Sequence, residues 1–517
     1  MAGALLGAAL GGGLQTLAWP WPGWWPLCFV SLVPLAAAAR GRTGRRAFAC
    51  GWVYGLVLSL TSLPWLADVL AGYGGLGFWP GWLIIFLLAA YLALYQALFA
   101  WLTTLPFPSL WWWSLAGAGA WAGLDWLKNL VFTGFNWTPL AGPLALSPEL
   151  GQAADIFGFY GLGFFVALVN LWLAAALFSG FSGLAAGRPF LLAALGLLGL
   201  AFAYGRQKYE HWEAAADRAL SLQVTVIQPA IDQAEKWEPL DLPGHLALYA
   251  GLAREAGRTA PWLLLWPETA LPFIYGPDRE ETAWLNELAA EVGGLSLVGV
   301  SGLDIDRQTL HNRMLLFRDG RPGPWYDKRH LVPFGEYLPL DWLPFMDLDF
   351  MRGIIGAAGS YDPGRPQPPL DLPLGPGRQV RLGLLICFES TFPHLGRERV
   401  LAGADLLVVP TNDAWFGLSR APVQHLLQAA MRAVETRRPL VRAGNTGISA
   451  VIRPSGLITQ ATELMARGVF PLRTPVLAPA DTEQTLFLRY GYGLAPALAV
   501  WAGLMAWLRW RSGRRQK

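Results

Sequence analysis

Leu382-Gly383-Leu384-Leu385-Ile386-Cys387-Phe388-Glu389 reads as a strand buried on both faces that delivers a thiol beside a carboxylate. The same type of run recurs on either side of it. Leu220–Gln228, Trp262–Trp266, Ser296–Ser301 and Met314–Arg318 precede it, and Asp405–Thr411, Leu440–Ala443 and Ile448–Arg453 follow. Between these runs, His245–Ala256, Glu281–Val292, Phe392–Ala402 and Val423–Thr436 carry helical periodicity. Alternation of this kind predicts an α/β domain whose buried sheets are covered by helices. Gly293-Gly294 is an isolated pair that asks for no more than a turn, so no phosphate-cradling loop is present.

Outside that domain the composition changes. The chain has 517 residues, 54% hydrophobic and only 15% charged. Residues 1–206 hold 11 of the charged side chains and residues 207–488 hold 58, which marks a membrane region with a soluble insert. Seven apolar stretches (2–19, 24–39, 47–67, 80–103, 110–127, 160–180 and 189–206) and an eighth at 491–508 approach the roughly 20 residues that a spanning helix needs. Gly11-Gly12-Gly13 is expected to loosen the first, and Asp68 and Asp125 are expected at interfaces. Three segments follow: a membrane domain at 1–206, an extracytoplasmic domain at 207–488, and a last span with a basic tail at 489–517. Arg40, Arg42, Arg45 and Arg46 between spans two and three, and Arg509, Arg511, Arg514, Arg515 and Lys517 after the eighth, fall on one side by parity. The positive-inside rule makes that side the cytoplasm. No basic patch suggests nucleic acid.

Three strand ends carry chemistry. Leu263-Leu264-Leu265-Trp266-Pro267-Glu268 stops at a proline and presents a carboxylate. Tyr326-Asp327-Lys328-Arg329-His330 leads into Pro333-Phe334-Gly335-Glu336, and the third end is Cys387 itself. Singly, each has an ordinary explanation: a turn carboxylate, a charged loop, a small core cysteine. Together, Glu268, Lys328 and Cys387 supply a base, an ammonium and a thiol nucleophile, a complete set for acyl transfer. A free thiol ionises near pH 8.5, so Cys387 needs Glu268 to take its proton, and Lys328 with the backbone N–H of Phe388 would receive the oxyanion. The cysteines Cys28, Cys50 and Cys387 form no disulfide framework. The histidines, all between His211 and His425, follow no metal-ligand spacing, so no metal or cofactor is expected.

The order Glu, Lys, Cys and its flanks resemble the nitrilase, or carbon-nitrogen hydrolase, superfamily. Lys328-Arg329-His330-Leu331-Val332-Pro333-Phe334-Gly335-Glu336-Tyr337, Thr411-Asn412-Asp413-Ala414-Trp415-Phe416-Gly417 and Arg442-Ala443-Gly444-Asn445-Thr446-Gly447 are similar to its apolipoprotein N-acyltransferase branch. Ala230, where Asn is usual, and Phe388, where Tyr is common, depart from that pattern. The resemblance implies an α-β-β-α sandwich attached to a multi-span α-helical membrane domain in the bacterial inner membrane, with the sandwich on the periplasmic side. It also implies a phospholipid acyl donor, a diacylglyceryl apolipoprotein acceptor and a cysteine thioester between them. Glu336 is then expected to orient Lys328, and Glu389 to hold the loop beside the nucleophile. Trp237, Asn412, Trp415, Phe350 and Met351 are expected around substrate. The apolar segment 342–355 is either a lid dipping into lipid or a helix packed in the domain core. A membrane-anchored amidohydrolase that uses the same three residues, and a non-enzymatic scaffold or transporter, are the alternatives.

Overall fold

The computed structural model describes the chain except residues 73–76, 181–183, 237–240, 278, 338–360, 479–481, 483, 494, 499, 502 and 505–517. It divides into two compact units, one of residues 1–67, 79–210 and 485–517, the other of 68–78 and 211–484.

The first unit is helical. Each of the seven expected stretches before residue 207 lies on helix, but among the described residues only Phe78–Leu102, Ala154–Gly180 and Ala185–Arg218 are long and apolar enough to cross a membrane. The bent pair Gly44–Ser62 and Trp65–Ala71 makes a fourth if taken as one span. Leu110–Lys128 falls short because five tryptophans, several glycines and the terminal Asp125 and Lys128 dilute its apolar content. The helix Ala2–Ala18 is not loosened by its glycines: a Cβ on Gly12 would lie 2.5 Å from the Tyr54 carbonyl oxygen, so glycine permits close helix packing there. Asp125 is not a solvated interfacial carboxylate. It is buried and takes hydrogen bonds from Lys128 Nζ at 3.2 Å and Trp121 Nε1 at 3.1 Å. In the eighth stretch 494, 499, 502 and 505–508 lie outside the described residues, and 495–498, 500, 501, 503 and 504 are helical.

The second unit is a pair of mixed sheets. The first contains β1 (Leu220–Gln228), β2 (Leu263–Leu265), β3 (Ile274–Tyr275), β4 (Leu295–Asp304), β5 (Thr309–Arg318), β6 (Arg321–Asp327) and β13 (Gly468–Val476), in the order β13-β1-β2-β4-β5-β6 with β3 beside β4. The second contains β7 (Leu370–Gly375), β8 (Arg378–Leu384), β9 (Leu406–Thr411), β10 (Leu440–Gly444), β11 (Ala450–Ile452) and β12 (Ile458–Ala461), in the order β12-β11-β10-β9-β8-β7. Side chains alternate with period two, so each strand serves two cores. Leu222, Val224, Leu265 and Met314 of the first sheet meet Leu372, Leu382, Leu384 and Val408 of the second in one buried cluster. Ile227, Leu264, Val298 and Phe317 face the other way, onto Tyr249 and Ala253 of helix Leu242–Gly257 and Leu285 and Leu288 of helix Glu280–Val292. Helices Pro393–Leu401 and Ala421–Thr436 accompany the second sheet. The unit is therefore an α-β-β-α sandwich, and β2, β6, β8 and β9 lead into one cluster of loops.

Candidate active site

Glu268 stands three residues beyond β2. Gly299 on β4 makes this placement possible, since a Cβ there would sit 2.1 Å from the Pro267 carbonyl oxygen. The Glu268 carboxylate is buried and fully engaged. Its Oε1 accepts from Lys328 Nζ at 2.9 Å and Asn312 Nδ2 at 2.7 Å, and its Oε2 accepts from the Asn412 backbone N–H at 2.8 Å. Lys328 follows directly on β6, and its backbone N–H donates to the Asn312 carbonyl at 2.8 Å. Its ammonium, 1% exposed, also donates to Glu336 Oε1 at 3.0 Å. The other Glu336 oxygen accepts from the Val332 N–H at 2.7 Å, so this loop folds around its own carboxylate.

Burial opposes charge on both partners of the central pair, and mutual attraction overcomes it. Glu268 is pushed up by burial but held below the ordinary carboxylate range by Lys328, Asn312 and the Asn412 N–H. Lys328 is pulled down by burial, yet Glu268 and Glu336 keep it well above the ordinary lysine value.

Cys387 does not end a strand as the sequence reading expected. β8 stops at Leu384, and Cys387 opens the tight turn Cys387–Thr391 with φ +50°, a left-handed conformation that side chains disfavour. The thiol is half-buried. Burial and the Glu268 and Asp413 carboxylates push its pKa up, while Lys328 and a hydrogen bond with Thr411 pull it down; the balance is upward. At rest, sulfur is a thiol and Glu268 a carboxylate.

Glu389 is entirely buried and binds two loops together. It accepts from Tyr326 Oη at 3.0 Å and from the backbone N–H groups of Arg329 at 2.8 Å and His330 at 3.1 Å, all on the lysine segment. It also accepts from the Ile386 N–H at 2.8 Å, next to the nucleophile. Phe388 packs edge-on against Phe392, with centroids 4.9 Å apart, and lies 5.7 Å from the His330 ring. Ala230, the other departure, takes φ +50°, which asparagine tolerates better than alanine.

Asn412, expected at substrate, has its side chain committed elsewhere: Nδ2 donates to Gln233 Oε1 at 2.8 Å, and Oδ1 accepts from Asn445 at 2.9 Å. What it turns toward Glu268 is its backbone. Trp415 is half-buried in the turn Asp413–Phe416. Trp237, Phe350, Met351 and the whole of segment 342–355 lie outside the described residues.

The sequence reading passed over Asn312, which donates to both carboxylates, at 2.7 Å to Glu268 and 2.8 Å to Glu336. In the sequence it sits between His311 and Arg313, ahead of the apolar run Met314–Phe317, so no local signal marks it. Lys236 was passed over too. Buried, with Nζ 3.4 Å from Thr269 Oγ1, it has a pKa lowered by burial to about 8, against the opposing pull of Glu268. A third omission is the set Asp413, His425 and Arg442. Single ligand atoms of Cys387, Asp413 and His425 lie within 4.8 Å of one another. Arg442 Nη2, however, is 2.5 Å from Asp413 and 3.1 Å from His425 Nδ1, so a divalent ion there would face a guanidinium.

The carbon-nitrogen hydrolase family model matches residues 223–470, and the apolipoprotein N-acyltransferase N-terminal domain model matches residues 11–172. The apolipoprotein N-acyltransferase of Geobacter metallireducens is 35% identical, with the alignment covering 98% of this chain and 95% of that protein. The one from Nitrosomonas europaea is 33% identical over 95% of this chain and 94% of its own, and the one from Pseudomonas syringae is 31% identical over 89% of each. With both halves matched and relatives aligned nearly end to end, the chain belongs to the apolipoprotein N-acyltransferase family.

Proposed function

We propose that this protein moves an acyl chain from a phospholipid to the α-amino group of a lipoprotein's N-terminal diacylglyceryl-cysteine, through a thioester on Cys387. The observation that carries the reading is the buried Lys328 ammonium, 2.9 Å from Glu268 and close enough to Cys387 to act on its ionisation. As sulfur attacks the ester carbonyl, its proton passes to Glu268, and the oxyanion is received by Lys328 with the Phe388 N–H. Collapse expels the lysophospholipid alkoxide, which takes the proton back from Glu268. The incoming amine then attacks the thioester and gives up a proton to Glu268. The amide forms as the thiolate leaves, and Glu268 returns that proton to sulfur. This is a ping-pong cycle. Glu336, Asn312 and the Asn412 backbone hold the base and the ammonium, and Glu389 ties their loop to the nucleophile's turn.

The first unit supports a multi-pass protein of the bacterial inner membrane. Both substrates keep acyl chains in lipid, where each CH₂ is worth about 0.8 kcal/mol, so the catalytic centre must come to the bilayer. The arginines at 40–46 support a cytoplasmic side for that loop and, by the parity of the expected spans, a periplasmic side for the sandwich. Trp237, Trp415, Phe350 and Met351 are assigned to substrate binding.

Intact-protein mass spectrometry after incubation with phospholipid tests the reading. An acyl adduct on Cys387, discharged by a diacylglyceryl lipopeptide and absent in Cys387→Ala, is the expected result. Discharge by water alone, with no gain from the lipopeptide, would make the protein a hydrolase. Full transfer by Cys387→Ala would end the proposal.

A further inference from the structure

His425 lies on helix Ala421–Thr436, fully buried, on the side of Cys387 where Asp413 and Arg442 sit. A thiol, an imidazole and a carboxylate within 4.8 Å suggest a second candidate base for the nucleophile. The hydrogen-bond partners rule that out. His425 Nε2 is 2.9 Å from the Cys387 carbonyl oxygen and 3.0 Å from Ser390 Oγ, which itself donates to that carbonyl at 2.8 Å. A carbonyl only accepts, so Nε2 carries a proton. Nδ1 is 3.1 Å from Arg442 Nη2 and 3.2 Å from Asp413 Oδ1. A guanidinium only donates and a carboxylate only accepts, so Nδ1 faces one of each; in the neutral ring, whose one proton is on Nε2, Nδ1 accepts from Arg442. Burial and then Arg442 hold the imidazole pKa below its ordinary value, which keeps the ring neutral in this tautomer. Arg442 is in turn held by Asp413 at 2.5 Å, and Asp413 also accepts from Thr411 Oγ1 at 2.7 Å. No lone pair on the ring is left for the thiol.

We propose that His425 is a positioning residue: its one ring proton is held by the Cys387 carbonyl and pins the left-handed turn that aims the thiol, while Arg442 and Asp413 lock the tautomer. This rests on Cys387 being the nucleophile. The turn needs such a hold because Cys387 at φ +50° relaxes toward ordinary backbone when its carbonyl is released. Two donors converge on that carbonyl, Ser390 from within the turn and His425 from the helix Ala421–Thr436, whose Arg432 Nη1 also reaches the turn at the Ser390 carbonyl, 3.4 Å away. His425 moves no proton in the reaction.

The test uses the full-length enzyme in mixed micelles of detergent and phosphatidylethanolamine. It measures, per folded molecule, acyl-enzyme formation and iodoacetamide alkylation of the Cys387 peptide. His425→Phe keeps the ring's bulk without the donor and should slow acylation about tenfold or more in kcat, with little change in KM, as a displaced nucleophile does. His425→Gln restores an N–H donor and should recover to within about threefold of the parent. The acidic limb of the pH–rate profile should stay where it is in His425→Gln, since the groups facing the ring are Asp413, Arg442 and Cys387 and none changes its charge there. Should His425→Phe not fold, Ser390→Ala, which removes the other donor to the same carbonyl, should still slow acylation. Parent-like rates in His425→Phe, or in Ser390→Ala if only that variant folds, would overturn the proposal. So would a shifted acidic limb in His425→Gln, which would make the imidazole a base. Transfer persisting in Cys387→Ala would instead sink the nucleophile assignment, whereas acylation on Cys387 that is indifferent to His425 would sink the positioning role alone.

Discussion

On one side of Cys387, Glu268 and Glu336 share the ammonium of Lys328; on the other, Asp413 and His425 share the guanidinium of Arg442. Both are buried, both combine acid with cation, and both reach the same sulfur. They differ in what the cation can do. An ammonium has three rotatable donors and follows charge as it moves, so the Glu268–Lys328 side can accept a proton and then meet an oxyanion. A guanidinium is planar and permanently charged, so the Asp413–Arg442 side is fixed in one protonation state. A buried acid–cation pair is therefore no sign of reactivity by itself. The choice of lysine or arginine separates the working side from the holding side.

Replacing the base should break the comparison most sharply. Glu268→Gln is expected to lower acyl-enzyme formation by about 10²–10⁴-fold, the usual range for a lost general base. A pre-steady-state assay with phospholipid measures it, and a loss under threefold would remove Glu268 from the chemistry. Lys328→Met should follow at about 10²–10³-fold, as for a lost oxyanion donor.

The arginine side should answer in stability. Arg442→Met leaves Asp413 buried without its counter-charge and should cost about 3–5 kcal/mol, whereas the double variant with Asp413→Asn should recover much of that. Thermal unfolding of the four proteins gives the coupling directly. If Arg442→Met were as stable as the parent, Asp413 would not depend on it.

Cys387 offers a pH test of both sides together. Its thiol is pushed above the ordinary thiol range, so the thiolate fraction should climb with pH throughout the range below 9. Alkylation by iodoacetamide should then rise about tenfold per pH unit between pH 7 and 9, with no plateau. A plateau near neutrality would mean that Lys328 outweighs burial and the two carboxylates.

The smallest effect is expected away from both clusters. Ala230 occupies a left-handed conformation that costs an L residue roughly 1–2 kcal/mol, so Ala230→Gly should raise stability by about 1 kcal/mol or less. Its melting temperature is the check.

Much of the sandwich was legible in the sequence because its central strands are continuous apolar runs. The run Leu220–Gln228 is β1 to the residue, and Asp405–Thr411 misses β9 by one. β3 and β12, of two and four residues, were too short to read, and the longer strands that escaped carry proline: Pro322 and Pro324 in β6, Pro373 in β7, and Pro471 and Pro475 in β13. All three lie at sheet edges, where a missing N–H breaks no ladder bond, so proline there is compatible with a strand although it disguises one. The helical unit was harder to read, because glycine and tryptophan serve helix packing there and lower the apparent apolarity.

By itself the sequence put forward the residue types of the proposed reaction and their order, Glu268, Lys328 and Cys387, since a base, an ammonium and a thiol just beyond strands are a chemical statement made locally. It also determined which half of the chain seeks lipid, since that depends on composition. Only the tertiary structure decided which side chains answer to which. Asn312 bridging two carboxylates, Glu389 joining the lysine loop to the Cys387 turn, and His425 held by Arg442 are contacts across 17 to 60 residues of chain. No local pattern encodes such pairings, because burial makes each donor and acceptor choose its partner from whatever the packed layers bring within reach.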